Sequence, residues 1–458
     1  MSLDNILDLK CPFQLVAITP PGLVNPWIAI AASKSGGIGI LNLEFTNDLP
    51  QALNAIEQLV YHSKYACGIK LSGEDDSFIS SIIPKLPKGI SIVVLTHGKP
   101  ENLAKHVKEI HLHNRLVFLE VTSLEQAKLG HELKVDGLIA KGNESAGFIG
   151  EKTAFILFQQ IVSNLSLPVW VQGGIGLNTA AACYAGGAAG IVLDSQLYLT
   201  KESPFSDGIK KHLKRMDGSE TICLGNKPVL CRIYNRPGLK IDDASLNIDQ
   251  QPENTGDTEY NAVSLLRQHI QKHMVWDEAE NSLWLIGQDI AFAVSLAKRF
   301  GTVGSILHAI RVTISEHVQT VKSLKILNEG SPLATSHGTR YPIVQGPMAR
   351  ISDKAAFLAQ VAEGGALPMV ALSELRSSEI KEVLSEVKKH LGDHLWGVGL
   401  LGFIESDLLK SQIEAIEPFS PNFAIIAGGL PNQVSVLESK GIATYVHVPS
   451  PGILDMFV

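Results

Sequence analysis

The chain has 458 residues, 45% of them hydrophobic and 19% charged, with a formal net charge of -7. That apolar share fills substantial cores and excludes global disorder. Lysine and arginine at 39 against 46 acidic residues leave no basic excess for a nucleic-acid partner.

From Pro12 to Ser203, short apolar runs alternate with helix-like stretches. The runs are FQLVAIT (13–19), GIGILNL (37–43), ACGIKLS (66–72), ISIVVLT (90–96), RLVFLEV (115–121), DGLIAKG (136–142), PVWVQGG (168–174) and AGIVLDS (189–195). They are nearly continuously hydrophobic, as strands buried on both faces of a parallel sheet must be. Between them SLEQAKLGHEL (123–133) and NTAAACYAGGA (178–188) have helical composition opened by a capping Ser or Asn. Eight such units predict an α/β fold, a (β/α)8 TIM barrel over 11–205, with a doubly wound open sheet as the alternative. Residues 206–330 read as a helical extension and linker. A helix and an irregular stretch to Pro237 come first, then a polar, acidic segment at 238–260. Helical patterns follow at 261–275, 286–299 and 302–325.

At Tyr341 the strand rhythm resumes with YPIVQGP, GALPMVAL, WGVGLLGF, FAIIAGG and IATYVHVPS. SKSGGIGI aligns with VAEGGALP, GIKLSG with GVGLLG, and LTHGKP with IAGGLP, at an offset of about 330 residues that marks a duplicated unit. The second copy, 341–458, holds about five of eight strands, so it is expected to be an incomplete barrel. Either the polypeptide is longer or the missing strands come from elsewhere. No apolar run approaches the roughly 20 residues that span a bilayer, and MSLDNILDLK does not read as a signal peptide. Five scattered cysteines without a CxxC pair point to free thiols in a reducing cytoplasm.

In such a barrel the chemistry belongs at the C-terminal strand ends. Gly173, Gly174 and Ile175 follow the seventh strand, and Asp194 and Ser195 the eighth. Bare backbone N–H groups there, backed by a helix N-terminus, suit a phosphate, although the Asp194 carboxylate counts against one. Lys141 and Glu144 stand in a glycine-bracketed polar loop after strand six, where they either contact a ligand or form a solvated ion pair. Glu120 and Thr122 close strand five. Lys70 interrupts an apolar strand, so it lies at the mouth facing a ligand or on the outer surface. His269 with His273 and His390 with His394 lack the glutamate of HExxH, and no metal site is expected.

These blocks resemble the nitronate monooxygenase family, FMN-binding TIM barrels that include flavin-dependent enoyl-[acyl carrier protein] reductases. YPIVQGPM (341–348) is similar to the family's opening strand and flavin loop. VDGLIAKGNESAGFIG, PVWVQGGIG and AGIVLDSQLYLTKES are similar to its strand-six loop and phosphate-binding turns. The stretch from LWLIGQD onward also resembles barrel modules of polyketide or polyunsaturated-fatty-acid synthase multienzymes.

The resemblance implies that Gln345, Gly346, Pro347 and Met348 lie under a flavin in the second barrel. In the first, it implies that Gly173 and Gly174 hold the FMN phosphate, with Asp194 and Ser195 adjoining. Lys141, Gly142 and Gly147 would line the ring, with Pro21, Gly22, Lys70 and Glu120 also at the cofactor. Two departures stand out. Phe148 takes the place of the family's catalytic histidine, and a phenyl ring moves no proton, which leaves Lys141, Glu144 or water for that task. The first barrel keeps Pro21 and Gly22 but lacks QGPM. The expected function is an FMN-dependent oxidoreductase, with NAD(P)H as donor and a small-molecule or carrier-bound acyl substrate. It would work beside other multienzyme domains or as a homo-oligomer. The competing readings are an enoyl reductase, a catalytically silent scaffold barrel and a phosphate-sugar or nucleotide binder.

Overall fold

The structure is a computed structural model that describes residues 13–225, 230–237, 239, 258–277, 282–373 and 375–457. The acidic segment at 241–257 and Cys11 therefore lie outside the described residues. The chain divides into two compact units, Met1–Gln319 and Thr320–Val458.

All eight predicted runs of the first unit are strands of one closed parallel barrel. They are β1 (Gln14–Ile18), β2 (Ile38–Asn42), β3 (Cys67–Leu71), β4 (Ile90–Leu95), β5 (Leu116–Val121) and β6 (Gly137–Lys141). A short outer strand β7 (Gly147–Ile149) intervenes before β8 (Val169–Gln172) and β9 (Gly190–Leu193) complete the ring. Pairing of Gln14–Ala17 with Gly190–Leu193 closes the barrel, which rules out the open sheet. Gly190 is needed at that seam, because a Cβ would collide with the Gln14 carbonyl and the Trp170 ring.

Strand alternation sorts the side chains. Leu15, Ala17, Ile69, Val117, Leu119 and Val171 point outward into a core shared with the helices. Val16, Ile40, Ile92, Val94, Phe118, Ile139, Trp170 and Val192 fill the barrel, where the Phe118 and Trp170 rings stack with centroids 4.3 Å apart. One step further along the same inward rows, the C-terminal ends carry Asn42, Lys70, Glu120, Lys141 and Gln172, all buried. The barrel is thus apolar below and polar at its mouth.

The helix Leu124–Glu132 is capped by Ser123, whose hydroxyl accepts from Gln126 N at 3.2 Å. The helix Leu177–Ala185 begins at Gly176 instead of the expected Asn; Thr179 Oγ1 accepts from the Gly176 N–H. The stretch expected to be irregular before Pro237 is a hairpin, β10 (Thr221–Leu224) and β11 (Leu230–Tyr234). β11 also pairs antiparallel with β7, with Cys231 opposite Phe148. This sheet and the helix Thr258–His273 share a small core of Phe45, Ala146, Cys231, Leu266, Ile270 and Leu285 above the mouth. Strands of four and five residues are too short for the alternation to register in sequence, and pairing with β7 is long-range. The helix Val303–Leu324 lays Val303, Ile306, Leu307 and Ile310 into the barrel's outer core. Among the described residues no single helix is long and apolar enough to cross a membrane.

The second unit is a five-stranded parallel sheet in sequential order: β12 (Val344–Gln345), β13 (Leu367–Ala371), β14 (Gly397–Leu401), β15 (Phe423–Ala427) and β16 (Ala443–Val446). Its starts follow those of β1–β5 by about 330 residues, as duplication requires. Val370, Val398, Leu400, Ala424 and Ile426 pack under the connecting helices. The other face carries Phe423 and Tyr445, with Tyr445 40% exposed.

Candidate active site at the barrel mouth

The polar ring at the mouth is a chain of alternating charges. Lys70 Nζ lies 3.1 Å from Glu44 and 2.6 Å from Glu120, whose other oxygen is 3.0 Å from Lys141 Nζ. Arg267, from the helix above, stands 3.7 Å from Glu44 and donates to its backbone carbonyl. The four inner side chains are between 2% and 5% exposed. Burial alone would lower the Lys70 pKa, yet Glu120 and Glu44 outweigh it and hold the ammonium well above its ordinary value. Burial likewise works against the Glu120 carboxylate, but Lys141 and Lys70 keep its pKa below the usual range. In a low dielectric such charges persist only because each faces its partner.

A second network closes the rim at β8 and β9. Gln172 Nε2 donates to Asp194 Oδ2 at 2.8 Å, and Asp194 Oδ1 accepts from Ser195 N at 2.6 Å. Gln196 donates to Ile175 O and to Asp289 Oδ2, and Gly287 N donates to Ser195 Oγ at 3.1 Å. Burial first, then the nearby Asp194 and Glu144 carboxylates, push the Asp289 pKa far above the carboxylate range. Glu144 folds back so that its carboxylate accepts from Ala154 N at 3.0 Å. It stands 3.1 Å from where a Cβ on Gly173 would be. The free space left among Ile18, Asn42, Glu44, Lys70, Lys141 and Gln172 is about 20 Å³, room for one water.

The structure brings Lys70, Glu120, Lys141, Glu144, Gly173, Gly174, Asp194 and Ser195 to one rim. Lys70 is at the mouth, as one of its two expected positions had it, but it faces carboxylates of its own chain. Lys141 and Glu144 do not pair with each other; Lys141 is held by Glu120 and Glu144 by the backbone of Ala154. Gly142 is packed against Ala154 and Glu144, while Gly147 lies by Leu285 and Lys141. Pro21 is buried, with Trp276 donating to its carbonyl, while Gly22 is exposed, although a Cβ on it would meet Met274. Phe148 stacks on Phe45 with centroids 6.2 Å apart. Sequence reasoning missed Glu44, Gln172, Gln196, Arg267 and Asp289. The parity of the inward rows marks Gln172, but no local signal marks Arg267 or Asp289, which arrive from beyond the barrel.

In the second unit Gln345 ends β12, and Gly346, Pro347 and Met348 follow it at the C-terminal edge of the sheet. Gln345 accepts from Met369 N at 3.1 Å, Pro347 packs against Gly399, and Gly346 has open space around it. Gly402 and Gly428–Gly429 form the neighbouring tips, packed backbone to backbone.

Residues 47–227 match the family model described as nitronate monooxygenase. Over that span the first barrel is similar to the nitronate monooxygenase family. A curated relative, the (3aS,4S,5R,7aS)-5-hydroxy-7a-methyl-1-oxo-octahydro-1H-indene-4-carboxyl-CoA dehydrogenase of Mycobacterium tuberculosis, is 24% identical over 219 residues. That match takes in 45% of this chain and 60% of the relative. Among solved structures, FabK from Thermotoga maritima superposes with a TM-score of 0.56 at 21% identity, over 70% of this chain and 98% of its own. The enoyl reductase domain of MlnA, from the macrolactin biosynthesis cluster of Bacillus amyloliquefaciens, gives 0.50 at 12% identity, over 69% and 98%. At such identities the superpositions establish the fold alone. The nitronate monooxygenase resemblance implies FMN at the first barrel's rim, and the residues there do not fit it. Ligand pockets of that class span some 300–1,000 Å³, against about 20 Å³ here.

Proposed function

We propose that this protein is a flavin-dependent oxidoreductase acting on acyl thioesters, and that its redox centre belongs to the second barrel. One observation carries the choice of barrel. The Gln345–Met348 loop is an opened, uncharged strand tip of flavin-loop sequence, with Met348 41% exposed and nothing packed where a Gly346 side chain would go. The thioester reading draws on the carboxyl-CoA named for the M. tuberculosis relative and on the enoyl reductase named for the MlnA domain. FMN would supply hydride transfer there, with NAD(P)H as donor. Gly346 would let the ring approach the backbone, and Pro347 and Met348 would shield one face from water. The phosphate would be held outside the five strands, because phosphate turns belong to the last two strands of such a barrel.

The experiment is NAD(P)H oxidation by the full-length protein with crotonyl-CoA or crotonyl-pantetheine, alongside its absorbance near 450 nm (an approximate flavin band). Thioester-dependent turnover that disappears in Gly346→Trp is expected. A colourless protein that oxidises no NAD(P)H with either thioester would sink the reading. The scaffold alternative then takes its place, because the first barrel's filled mouth already suits it.

A further inference from the structure

We infer that the first barrel does not seat FMN, because groups of its own chain fill the seat. The centre of the mouth is the Arg267–Glu44–Lys70–Glu120–Lys141 chain. A ring placed there would have to part ion pairs that are buried and mutually satisfied, stranding charge in a low dielectric. Beside the phosphate position, neighbouring N–H groups are engaged within the chain: Ser195 N is taken by Asp194, Gly176 N by Thr179, and Ala154 N by Glu144. Around them stand the carboxyl groups of Glu144, Asp194 and Asp289. Burial and then the other two already push the Asp289 pKa upward, so a dianion would meet repulsion where the family places attraction.

At the first strand's loop Trp276 holds the Pro21 carbonyl, and a side chain on Gly22 would meet Met274. Each wall is sealed by a different segment: the β2 end supplies Glu44, the β6 loop Glu144, the upper helix Arg267, and the 287–289 turn Asp289. Four independent segments converge on one closed solution, which a single side-chain rotation does not undo. The first barrel serves as a self-completed structural partner, with salt links and carboxyl hydrogen bonds in place of a cofactor. This holds whichever element carries the redox chemistry, so it does not rest on the function proposed above.

Hydrogen exchange of the full-length wild-type protein, with and without excess FMN, tests it without a variant that could misfold. The amides of 142–147, 173–177 and 194–197 are expected to exchange within about twofold of their FMN-free rates. An FMN-dependent change of about tenfold or more at those amides overturns the inference. If exchange changes only around 345–348, both this inference and the proposed function stand. If it changes nowhere, the first barrel is flavin-free as inferred and the proposed function falls.

Discussion

Glu120 joins two lysines that have no other carboxylate at salt-bridge distance in common, and this makes the mouth's energetics testable residue by residue. Replacing it with glutamine leaves Lys70 on Glu44 but strands Lys141 in a buried site. Breaking one member of a buried pair costs about 3–5 kcal/mol, whereas removing both is often close to neutral. Glu120→Gln should therefore lose about that much unfolding free energy in denaturant, and Glu120→Gln with Lys141→Met should recover most of it. A double variant no more stable than the single one would mean that the ion chain does not hold the mouth. Asp289 gives a prediction in pH. An acid whose folded pKa is raised costs nothing below its unfolded value of about 3.9, where both states hold the proton. Above that value the unfolded chain releases a proton that the folded one keeps, so stability falls as pH rises toward the folded pKa. Asp289→Asn should match the wild type near pH 4 and become progressively the more stable of the two as pH rises above the unfolded value. A stability difference that does not change with pH would contradict the raised Asp289 pKa.

At the scale of elements, the barrel was legible because its strands are long apolar runs buried on both faces, and each of the eight runs is a strand. The five runs after Tyr341 are strands too, although only β13 and β14 are buried on both faces. The sheet β7–β11–β10 was not legible. Its strands have three to five residues, and its existence depends on a pairing between Phe148 and Cys231 that no local pattern encodes. The site divides along the same line. Lys70, Glu120 and Lys141 are visible as polar breaks in apolar strands, and Gly173, Gly174, Asp194 and Ser195 as strand-end residues. What they face is set by Glu44, Arg267 and Asp289, whose approach is tertiary. Phe148 shows how the missed sheet changes a residue's meaning: set across from Cys231 on β11, its ring stacks on Phe45 beneath the small upper core. Phe148→Ala should cost about 1–3 kcal/mol through the lost stack and packing. If thermal unfolding is unchanged, the small upper core does not depend on that ring.

For the whole molecule, the physical consequence of duplication is two separate cores. The barrel's core is drawn from residues up to Ile314, and the second unit's core from Leu358 to Ile442, with no residue in common. Compact units with their own cores unfold as units, so calorimetry should resolve two transitions. Glu120→Gln, inside the first mouth, should lower one of them and leave the other in place. Leu400→Ala, which removes a side chain 2% exposed from beneath the second unit's helices, should do the reverse, at a cost of about 2–5 kcal/mol. A shared response would show instead that the two copies unfold as one cooperative body.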